Sequence, residues 1–366
     1  MKVNYLNLTE QFNDEILWAV VRKQFEECHF IMGPELERFE SGFASLCDTP
    51  FALGVNSGTD AIFLALKSLN IGLGDEVITP PNSFIATTGA IVATGARPVF
   101  VDVAEDYNID ATLIEAAISP VTKAILPVHL TGNPADMKNI MQIARENNLY
   151  VIEDAAQAAG ASINGQKVGS FGDIGCFSLH PLKNLNVCGD GGVLTVKSEA
   201  LYNKLSLLRN HGLRNRDEID FFGYNSRLDT IQAAVANHGL KDLNAITEAR
   251  RKNAGIYDNL LKDMGNYVTT PQRRKKATPV FHTYIVRVQD RENLIRYLDD
   301  NDVETKIHYP VPNHLQKPCR EMGYQFGNFP VCEAQARTIL SLPIHQHLNE
   351  QQIYYVSGLI KAFYGV

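Results

Sequence analysis

The amino-acid sequence predicts an α/β protein with a mixed, mostly parallel sheet covered by helices, followed by a smaller α+β C-terminal domain. Two observations predict the sheet: short apolar segments such as 51–55 and 150–154 recur along the chain, and helical patterns alternate with them. Near-continuous apolar strands are typical of parallel sheets that are buried on both faces. Length is the third observation, because 366 residues favour a large domain with a smaller partner, which we place at 1–250 and 251–366.

The first part of the chain supplies most of this alternating pattern. Apolar residues at helical spacing predict helices at 14–27 and 35–46, separated by the helix-breaking pair Gly33-Pro34. The elements predicted next are strand 51–55, helix 60–69, strand 76–80, helix 85–94, strand 98–103, helix 110–118, strand 124–129, helix 136–147 and strand 150–154. Ligands of such sheets bind beyond the carboxyl ends of the strands, so functional residues are expected there.

The remaining elements surround one lysine and then form the smaller domain. Strands are predicted at 175–179 and 193–196, on either side of a loop that contains Lys183. A helix at 198–209 follows, then a polar segment, and a long helical pattern runs from about 225 to 264 with Ser226 as its N-cap. The smaller domain is predicted to contain strand 280–288, helix 291–300, strand 304–309, a proline-rich loop and two closing helices.

Composition argues against several classes of protein. The net charge of −7 disfavours a nucleic-acid-binding surface, and the basic run 273–276 is predicted to be a solvated loop. No segment has the roughly 18 consecutive apolar residues of a membrane span, and the first residues lack a signal-peptide pattern, so we expect a cytoplasmic protein. The six cysteines show no metal-ligand spacing, and His345 and His347 lack a carboxylate partner at helical spacing. We therefore predict no metal site.

Three segments carry residues suited to one kind of chemistry. The turn 56–60 (Asn-Ser-Gly-Thr-Asp) joins a strand to a helix N-terminus, which favours a phosphate, although alone it is equally well an ordinary N-cap at Thr59 or Asp60. Asp154 ends a strand among small residues, where a buried carboxylate is costly unless it meets a cation or a donor. Lys183 lies in a tight loop before a glycine cluster, and a lysine that reacts as a neutral amine needs such desolvation.

A pyridoxal phosphate enzyme needs these three features together. The lysine holds the aldehyde of the cofactor as an imine, the carboxylate keeps the pyridine nitrogen protonated, and the cradle fixes the phosphate. Each signal is weak alone. Their occurrence in this order on an α/β sheet indicates pyridoxal 5'-phosphate as the cofactor.

Five segments also carry a family resemblance: 56–61 (NSGTDA), 153–157 (EDAAQ), 178–184 (SLHPLKN), 189–192 (GDGG) and 225–229 (NSRLD). They resemble the DegT-type (StrS-like) nucleotide-sugar aminotransferases, which are aspartate-aminotransferase-like enzymes of fold type I. The resemblance covers nearly the whole chain. It implies a transaminase that moves an amino group, with glutamate as the expected donor, to a keto carbon of a nucleotide-linked deoxysugar. The segment 308–312 slightly favours C3 of the sugar over C4.

The resemblance implies roles for the matching residues. Lys183 is expected to be the Schiff-base lysine and proton shuttle, and Asp154 to pair with the pyridine nitrogen. The other expected cofactor contacts are Gln157 at the ring hydroxyl, Phe84 stacked on the ring (otherwise a core aromatic), and Gly58, Thr59 and Ser178 at the phosphate. Asn225 is expected to reach the phosphate of a neighbouring subunit, which implies a homodimer with shared sites. The expected substrate contacts are His308, Tyr309 and His314, with Arg214 as a further candidate because local cations must attract an anionic nucleotide.

Two alternatives have other activities. A pyridoxamine-phosphate-dependent sugar dehydratase of the same family has histidine at the lysine position, and Lys183 disfavours it. A regulatory protein on the same fold would have lost catalysis, and the presence of Lys183, Asp154, Gln157 and Ser178 together disfavours that reading.

Overall fold

The computed structural model describes residues Met1–Val366. Its strands are β1 (Phe51–Val55), β2 (Glu76–Thr79), β3 (Arg97–Phe100), β4 (Thr122–Ile125), β5 (Tyr150–Asp154), β6 (Ser162–Ile163), β7 (Gln166–Lys167), β8 (Ile174–Ser178), β9 (Gly192–Val196), β10 (Val268–Thr269), β11 (Ala277–Thr278), β12 (Tyr284–Val288) and β13 (Ile339–Leu342). Its helices are α1 (Leu8–Phe12), α2 (Glu15–Glu27), α3 (Pro34–Leu46), α4 (Gly58–Ser68), α5 (Ile85–Ala93), α6 (Met137–Glu146), α7 (Glu199–Leu208), α8 (Thr230–Leu261), α9 (Arg291–Asp300), α10 (Lys317–Glu321), α11 (Pro330–Thr338) and α12 (Glu350–Tyr364).

A seven-stranded sheet forms the centre, in the order β1-β9-β8-β5-β4-β2-β3. Strands β8, β5, β4, β2 and β3 pair in parallel, whereas β9 runs antiparallel to both of its neighbours. Strands β5 and β8 therefore end at the same edge, which places the residues after Asp154 and after Ser178 beside one another. The sheet is mixed and mostly parallel, as the sequence predicts.

Helices cover both faces of this sheet. Apolar residues of α4, α5 and α7 pack with Leu53, Val77 and Ile152 of the strands on one face. Helices α2, α3 and α8 pack on the opposite face against Ala52 and Phe177. Burial on both faces explains why the strands are nearly continuous apolar runs in the sequence.

A second layer of structure lies in the C-terminal part of the chain. Strands β10, β12 and β13 form an antiparallel sheet, and a separate core packs it against α9, α12 and the end of α8. Helix α8 contributes Leu243 to the core of the central sheet and Tyr257 to this second core, so the expected boundary at 250–251 falls inside one continuous helix. The division into two domains stays a prediction, and we propose that α8 belongs to both.

Several predicted elements differ from the observed ones. The expected helix at 110–118 is two short 3₁₀ turns, Ala111–Leu113 and Glu115–Ala117. Ser226 is not the N-cap of α8: the helix begins at Thr230 after Asp229, while the Ser226 hydroxyl donates to Asn56 Oδ1. The expected strand at 304–309 is reduced to one bridge between Lys306 and Ser341, since prolines follow at once. A proline cannot donate to a strand ladder, which limits pairing there.

The basic run 273–276 is not simply a solvated loop. Arg273 forms an ion pair with Asp258. Arg274 pairs with Asp106, which follows β3, and with Asp136, which precedes α6. Beside it, β11 pairs with β6, so this segment ties the C-terminal part of the chain to the large sheet. No helix is both long and apolar enough to cross a lipid bilayer.

Candidate active site

A cavity of about 380 Å³ lies where the carboxyl ends of β5 and β8 meet the N-termini of α4 and α5. Segments distant in sequence contribute to its wall. The lining residues from the predicted set are Gly58, Thr59, Phe84, Asp154, Gln157, Ser178, Lys183, His308 and Tyr309. The parallel strands deliver their carboxyl ends to one edge, which brings the residues after β1, β2, β5 and β8 together, whereas His308 and Tyr309 come from the C-terminal part of the chain.

Lys183 is held by a hydrogen-bonded loop between β8 and β9. Its backbone N–H donates to the His180 carbonyl at 2.8 Å, and Asn186 Nδ2 donates to the Lys183 carbonyl at 3.0 Å. Asn184 Nδ2 donates to the Val280 carbonyl, which anchors the loop to the C-terminal part of the chain. Burial lowers the pKa of the Lys183 amine to about 8, against the opposing effect of the Asp154 charge. The neutral, nucleophilic amine is therefore accessible close to neutral pH.

Asp154 is a buried carboxylate with unused accepting capacity. Oδ2 accepts a hydrogen bond from Thr87 Oγ1 at 2.7 Å, and Oδ1 accepts from the Ala156 N–H at 3.1 Å. Burial raises the pKa of Asp154, and the Thr87 hydrogen bond opposes this effect. A carboxylate has about four lone-pair sites, so it can accept a further charged donor in the cavity. A protonated pyridine nitrogen is such a donor.

The N-terminus of α4 forms a close-fitting cradle. Ser57 caps the helix, its Oγ accepting from the Asp60 N–H at 3.1 Å, so the predicted caps Thr59 and Asp60 are wrong. A Cβ on Gly58 would lie 2.7 Å from Ser178 Cβ, and one on Gly192 would lie 2.2 Å from the Ser57 carbonyl oxygen. These approaches require glycine and bring the Ser178 hydroxyl to the positive end of the helix dipole. The cradle therefore fits a phosphate group.

Gln157, Phe84 and Tyr309 lie on neighbouring parts of the wall. Gln157 is positioned by the Thr131 N–H, which donates to its Oε1 at 2.7 Å, and its Nε2 lies 3.4 Å from the Tyr309 hydroxyl. The Phe84 ring is 55% exposed, with its centroid 5.7 Å from that of Tyr309. Such exposure is unlike that of a core aromatic, and it leaves an apolar face for a flat ligand.

Three predicted residues lie elsewhere in this chain. His314 is fully buried, and its Nε2 is 2.9 Å from Glu333 Oε1, so its side chain does not line the cavity. Arg214 is exposed and pairs with Asp220 at 2.5 Å. Asn225 is exposed, and its backbone bridges to Asn210 outside the cavity lining. The buried contact with Glu333 leaves His314 unsuited to contact a substrate, whereas Arg214 and Asn225 are exposed at the surface.

Sequence reasoning missed several lining residues. Thr87, Tyr5, His282 and Thr283 all reach the cavity, and His180, to which no role was assigned, lies there too. Thr87 follows Phe84 by three residues, so helical spacing could have placed both at the same helix end. Tyr5 and His282 come from segments with no motif, and only tertiary contacts bring them to the cavity.

Comparisons with known proteins agree with this geometry. The model of the "DegT/DnrJ/EryC1/StrS aminotransferase family" matches residues 12–361. A "pleiotropic regulatory protein" of Geobacillus stearothermophilus is 40% identical, over 100% of this chain and 99% of its own length. A UDP-N-acetyl-3-dehydro-alpha-D-glucosamine 3-aminotransferase of Acidithiobacillus ferrooxidans is 43% identical, over 95% of this chain and 93% of its own.

Solved structures extend the agreement to the whole fold. DesV of S. venezuelae, solved in complex with a ketimine intermediate, has a TM-score of 0.97 and 39% identity, covering 99% of this chain and 98% of that one. NtdA from Bacillus subtilis, solved with bound cofactor PMP, has a TM-score of 0.91 and 32% identity, covering 98% and 85%. These likenesses confirm the predicted α/β fold class.

Proposed function

The chain belongs to the DegT/DnrJ/EryC1/StrS aminotransferase family, which confirms the predicted resemblance and the transaminase class. From that premise we propose that it is a pyridoxal-phosphate-dependent enzyme that transfers an amino group from glutamate to a keto carbon of a nucleotide-linked deoxysugar. One observation carries the proposal: Lys183, Asp154 and the cradle at the start of α4 open into one cavity.

The cavity offers a partner for each part of the cofactor. Lys183 Nζ would hold the aldehyde carbon, Asp154 the pyridine nitrogen and Gln157 the ring hydroxyl. The phosphate would lie against Gly58, Thr59 and Ser178, and Phe84 would cover the ring. When bound, the cofactor withdraws electrons from the carbon that carries the amino group.

The protein's own residues then orient groups and move protons. Asp154, kept in place by Thr87, would face the ring nitrogen of the bound cofactor, and its negative charge would stabilise the protonated nitrogen. We assign to Lys183 Nζ the transfer of a proton between two carbons: the substrate carbon that carries the nitrogen and the former aldehyde carbon of the cofactor. The lowered pKa of Lys183 suits this role, because a general base works best when its pKa is near the working pH.

We assign the sugar to the side of the cavity formed by His308 and Tyr309, and we favour C3 as the aminated carbon. The name of the Acidithiobacillus ferrooxidans relative, a 3-aminotransferase acting on a UDP-linked sugar, supports this choice. His308 Nδ1 lies 2.9 Å from Ser341 Oγ, which fixes the ring with its other nitrogen free. Arg214 stays a proposed contact for the nucleotide.

We also propose a homodimer in which Asn225 completes the phosphate site of the partner subunit. The support is its position: the side chain is exposed and lies away from its own chain's cavity. In such a dimer, the contact between Asn225 and the cofactor phosphate would form only between two subunits.

The test uses purified protein and a panel of nucleotide-linked keto-sugars with glutamate as donor. Wild-type protein is expected to be yellow with bound cofactor, Lys183→Ala to lose that colour, and a 3-keto sugar to be aminated faster than a 4-keto sugar. The relative with a regulatory name makes a non-catalytic role the second candidate. A colourless wild-type protein that ignores added cofactor would favour that candidate and sink the enzyme proposal.

A further inference from the structure

A fully buried arginine without a carboxylate partner stands behind one wall of the cavity. Arg250, on α8, is only 2% exposed. Its hydrogen-bond partners are all neutral: Nε donates to Gln346 Oε1 at 3.3 Å, and Nη1 donates to the carbonyls of Phe281 and His282 at 3.0 and 3.3 Å. Burial lowers the pKa of Arg250 to about 10, so the guanidinium stays charged at neutral pH. A buried, uncompensated charge is strongly destabilising.

The wall in front of this charge carries polar groups that also lack partners. Tyr5, His282 and Thr283 line the cavity, and the Tyr5 hydroxyl, Thr283 Oγ1 and His282 Nδ1 are all buried without a hydrogen bond. The Ser341 hydroxyl pairs with His308 Nδ1 at 2.9 Å and does not meet hydrogen-bond geometry with the Tyr5 hydroxyl. His345 Nε2 donates to the carbonyl of Asn4, next to Tyr5, at 3.3 Å, and the adjacent Gln346 accepts from Arg250 Nε, so two short contacts link Tyr5 to Arg250. Burial raises the pKa of the Tyr5 hydroxyl, and the Arg250 charge opposes this effect.

Two hydroxyls without hydrogen bonds, beside a cation without a counter-charge, need an acceptor that carries negative charge. A sugar hydroxyl would satisfy the donors but would leave the charge of Arg250 uncompensated. A carboxylate does both, because its two oxygens accept hydrogen bonds and its charge offsets the guanidinium.

We propose that Tyr5 and Thr283, with the charge of Arg250 behind them, form a carboxylate-binding subsite for a substrate of this enzyme. The inference rests on the proposed function, which brings a carboxylate to the cavity in two ways: on the amino-acid donor, or on an acidic sugar. Arg250 does not touch the substrate. Its positive charge attracts the carboxylate, and its bonds to the Phe281 and His282 carbonyls hold the cavity wall in place, so it is a positioning residue.

The experiment compares wild-type holoenzyme with Arg250→Gln, which keeps an amide donor but removes the charge. The cofactor absorbance reports a single turnover with glutamate alone, and a second single turnover uses either a neutral or an acidic keto-sugar. Arg250→Gln is expected to react about a hundredfold more slowly with the substrate that supplies the carboxylate. Without the guanidinium, the carboxylate is buried with no opposite charge, and a loss of this kind reduces affinity by about that factor. Thr283→Val should slow the same substrate about tenfold.

Selective loss with glutamate identifies the donor as the source, and selective loss with the acidic sugar identifies the sugar. Equal loss with every substrate, or no loss, overturns the subsite. Asn253→Ala is the matched control, because Asn253 Nδ2 makes a comparable buried bond to the His345 carbonyl but carries no charge. This variant should lose stability without any selective effect on one substrate.

A binding measurement separates the subsite from the proposed function. Glutarate, a dicarboxylate without an amino group, should raise the melting temperature of wild-type holoenzyme, and neutral glutaramide should not. The shift should vanish in Arg250→Gln. If wild-type protein binds glutarate but never reacts with glutamate, the subsite is supported and the proposed function fails. If glutarate and glutaramide behave alike, and an acidic nucleotide-linked sugar also behaves like its neutral counterpart, the subsite is wrong.

Discussion

Lys183 lies in a cavity where burial lowers the pKa of its amine to about 8, compared with 10.5 for a solvated lysine. Only the neutral amine attacks an aldehyde, so the shift raises the reactive fraction near neutral pH. Asp154 opposes the shift through its charge, and Thr87 holds Asp154 in place. Reactivity at this site is therefore a property of three side chains from three different elements.

The lowered pKa predicts how cofactor capture depends on pH. In cofactor-free protein, the rate of covalent capture of pyridoxal phosphate should rise with pH and reach half its plateau near pH 8, because the protonated amine is the unreactive form. Stopped-flow absorbance over a pH series measures this. A midpoint near 10.5 would show that the amine is solvated, and Lys183→Ala gives the background from surface lysines.

Asp154 and Thr87 allow a graded test of the carboxylate. Asp154→Asn should keep cofactor bound but reduce turnover by several orders of magnitude, because the ring nitrogen loses its charged partner. Thr87→Val, which removes only the donor to Asp154 Oδ2, should reduce turnover about tenfold. The two rates and the cofactor occupancy are measured together. Near-normal turnover in Asp154→Asn would mean that the carboxylate is assigned wrongly.

Helix α4 and strand β8 meet at the cradle, and their contact depends on the absence of a side chain at Gly58. A Cβ there would lie 2.7 Å from Ser178 Cβ, closer than real Cβ contacts. The cradle thus belongs to a helix–strand contact as much as to any single residue. The sequence indicates the strand–turn–helix arrangement, but it does not reveal which residue caps α4 or that Ser178 faces Gly58.

Gly58→Ala should force α4 away from β8 and weaken cofactor binding at least tenfold, because the free N–H groups of the helix no longer converge on the phosphate. Fluorescence titration with pyridoxal phosphate measures the Kd. Gly89→Ala is the matched control, since that glycine lies within α5 and an added Cβ would meet no atom within 4 Å. Equal Kd values for both variants would contradict the assigned phosphate site.

Elements whose residues interact locally are predictable from the sequence, whereas elements that depend on partners distant in the sequence are not. The sequence predicts the ends of β5 and β8, because apolar runs end there in Asp154 and in the segment before Lys183. The prediction of a strand at 304–309 is wrong. Its pairing partner, Ser341, is distant in the sequence, and the prolines that follow limit the pairing to one bridge. Tyr5 and His282 lie in segments without a motif, and only long-range contacts bring them to the cavity, such as the Val3–Val303 bridge and the Arg250 bond to the His282 carbonyl.

At the scale of the whole molecule, the N-terminal residues meet segments from the C-terminal part of the chain at one site. Val3 bridges to Val303 and lies in the core of the second sheet, which carries Tyr5 to the cavity. The central sheet supplies the cofactor side of the site, and the C-terminal segments supply His282, His308 and Tyr309. This division suits an enzyme that binds one cofactor and two successive substrates.

If the proposed dimer shares its sites, two inactive variants should complement each other. Mixing Lys183→Ala subunits with Asn225→Ala subunits should restore part of the activity, since a mixed dimer contains one site with neither substitution. Activity after refolding or subunit exchange is compared with that of each variant alone. The absence of any recovery, with mixed dimers demonstrated by tagged purification, would argue against a shared site.

The central claim is transfer of nitrogen from an amino acid to a nucleotide-linked keto-sugar, and isotope tracing measures it most directly. Holoenzyme is incubated with glutamate carrying a heavy amino nitrogen and with a nucleotide-linked 3-keto sugar, and the sugar product is analysed by mass spectrometry. We predict that the heavy nitrogen appears on the sugar with wild-type protein and not with Lys183→Ala. A cofactor-loaded wild-type protein that leaves every keto-sugar of the panel without the heavy nitrogen would contradict the account.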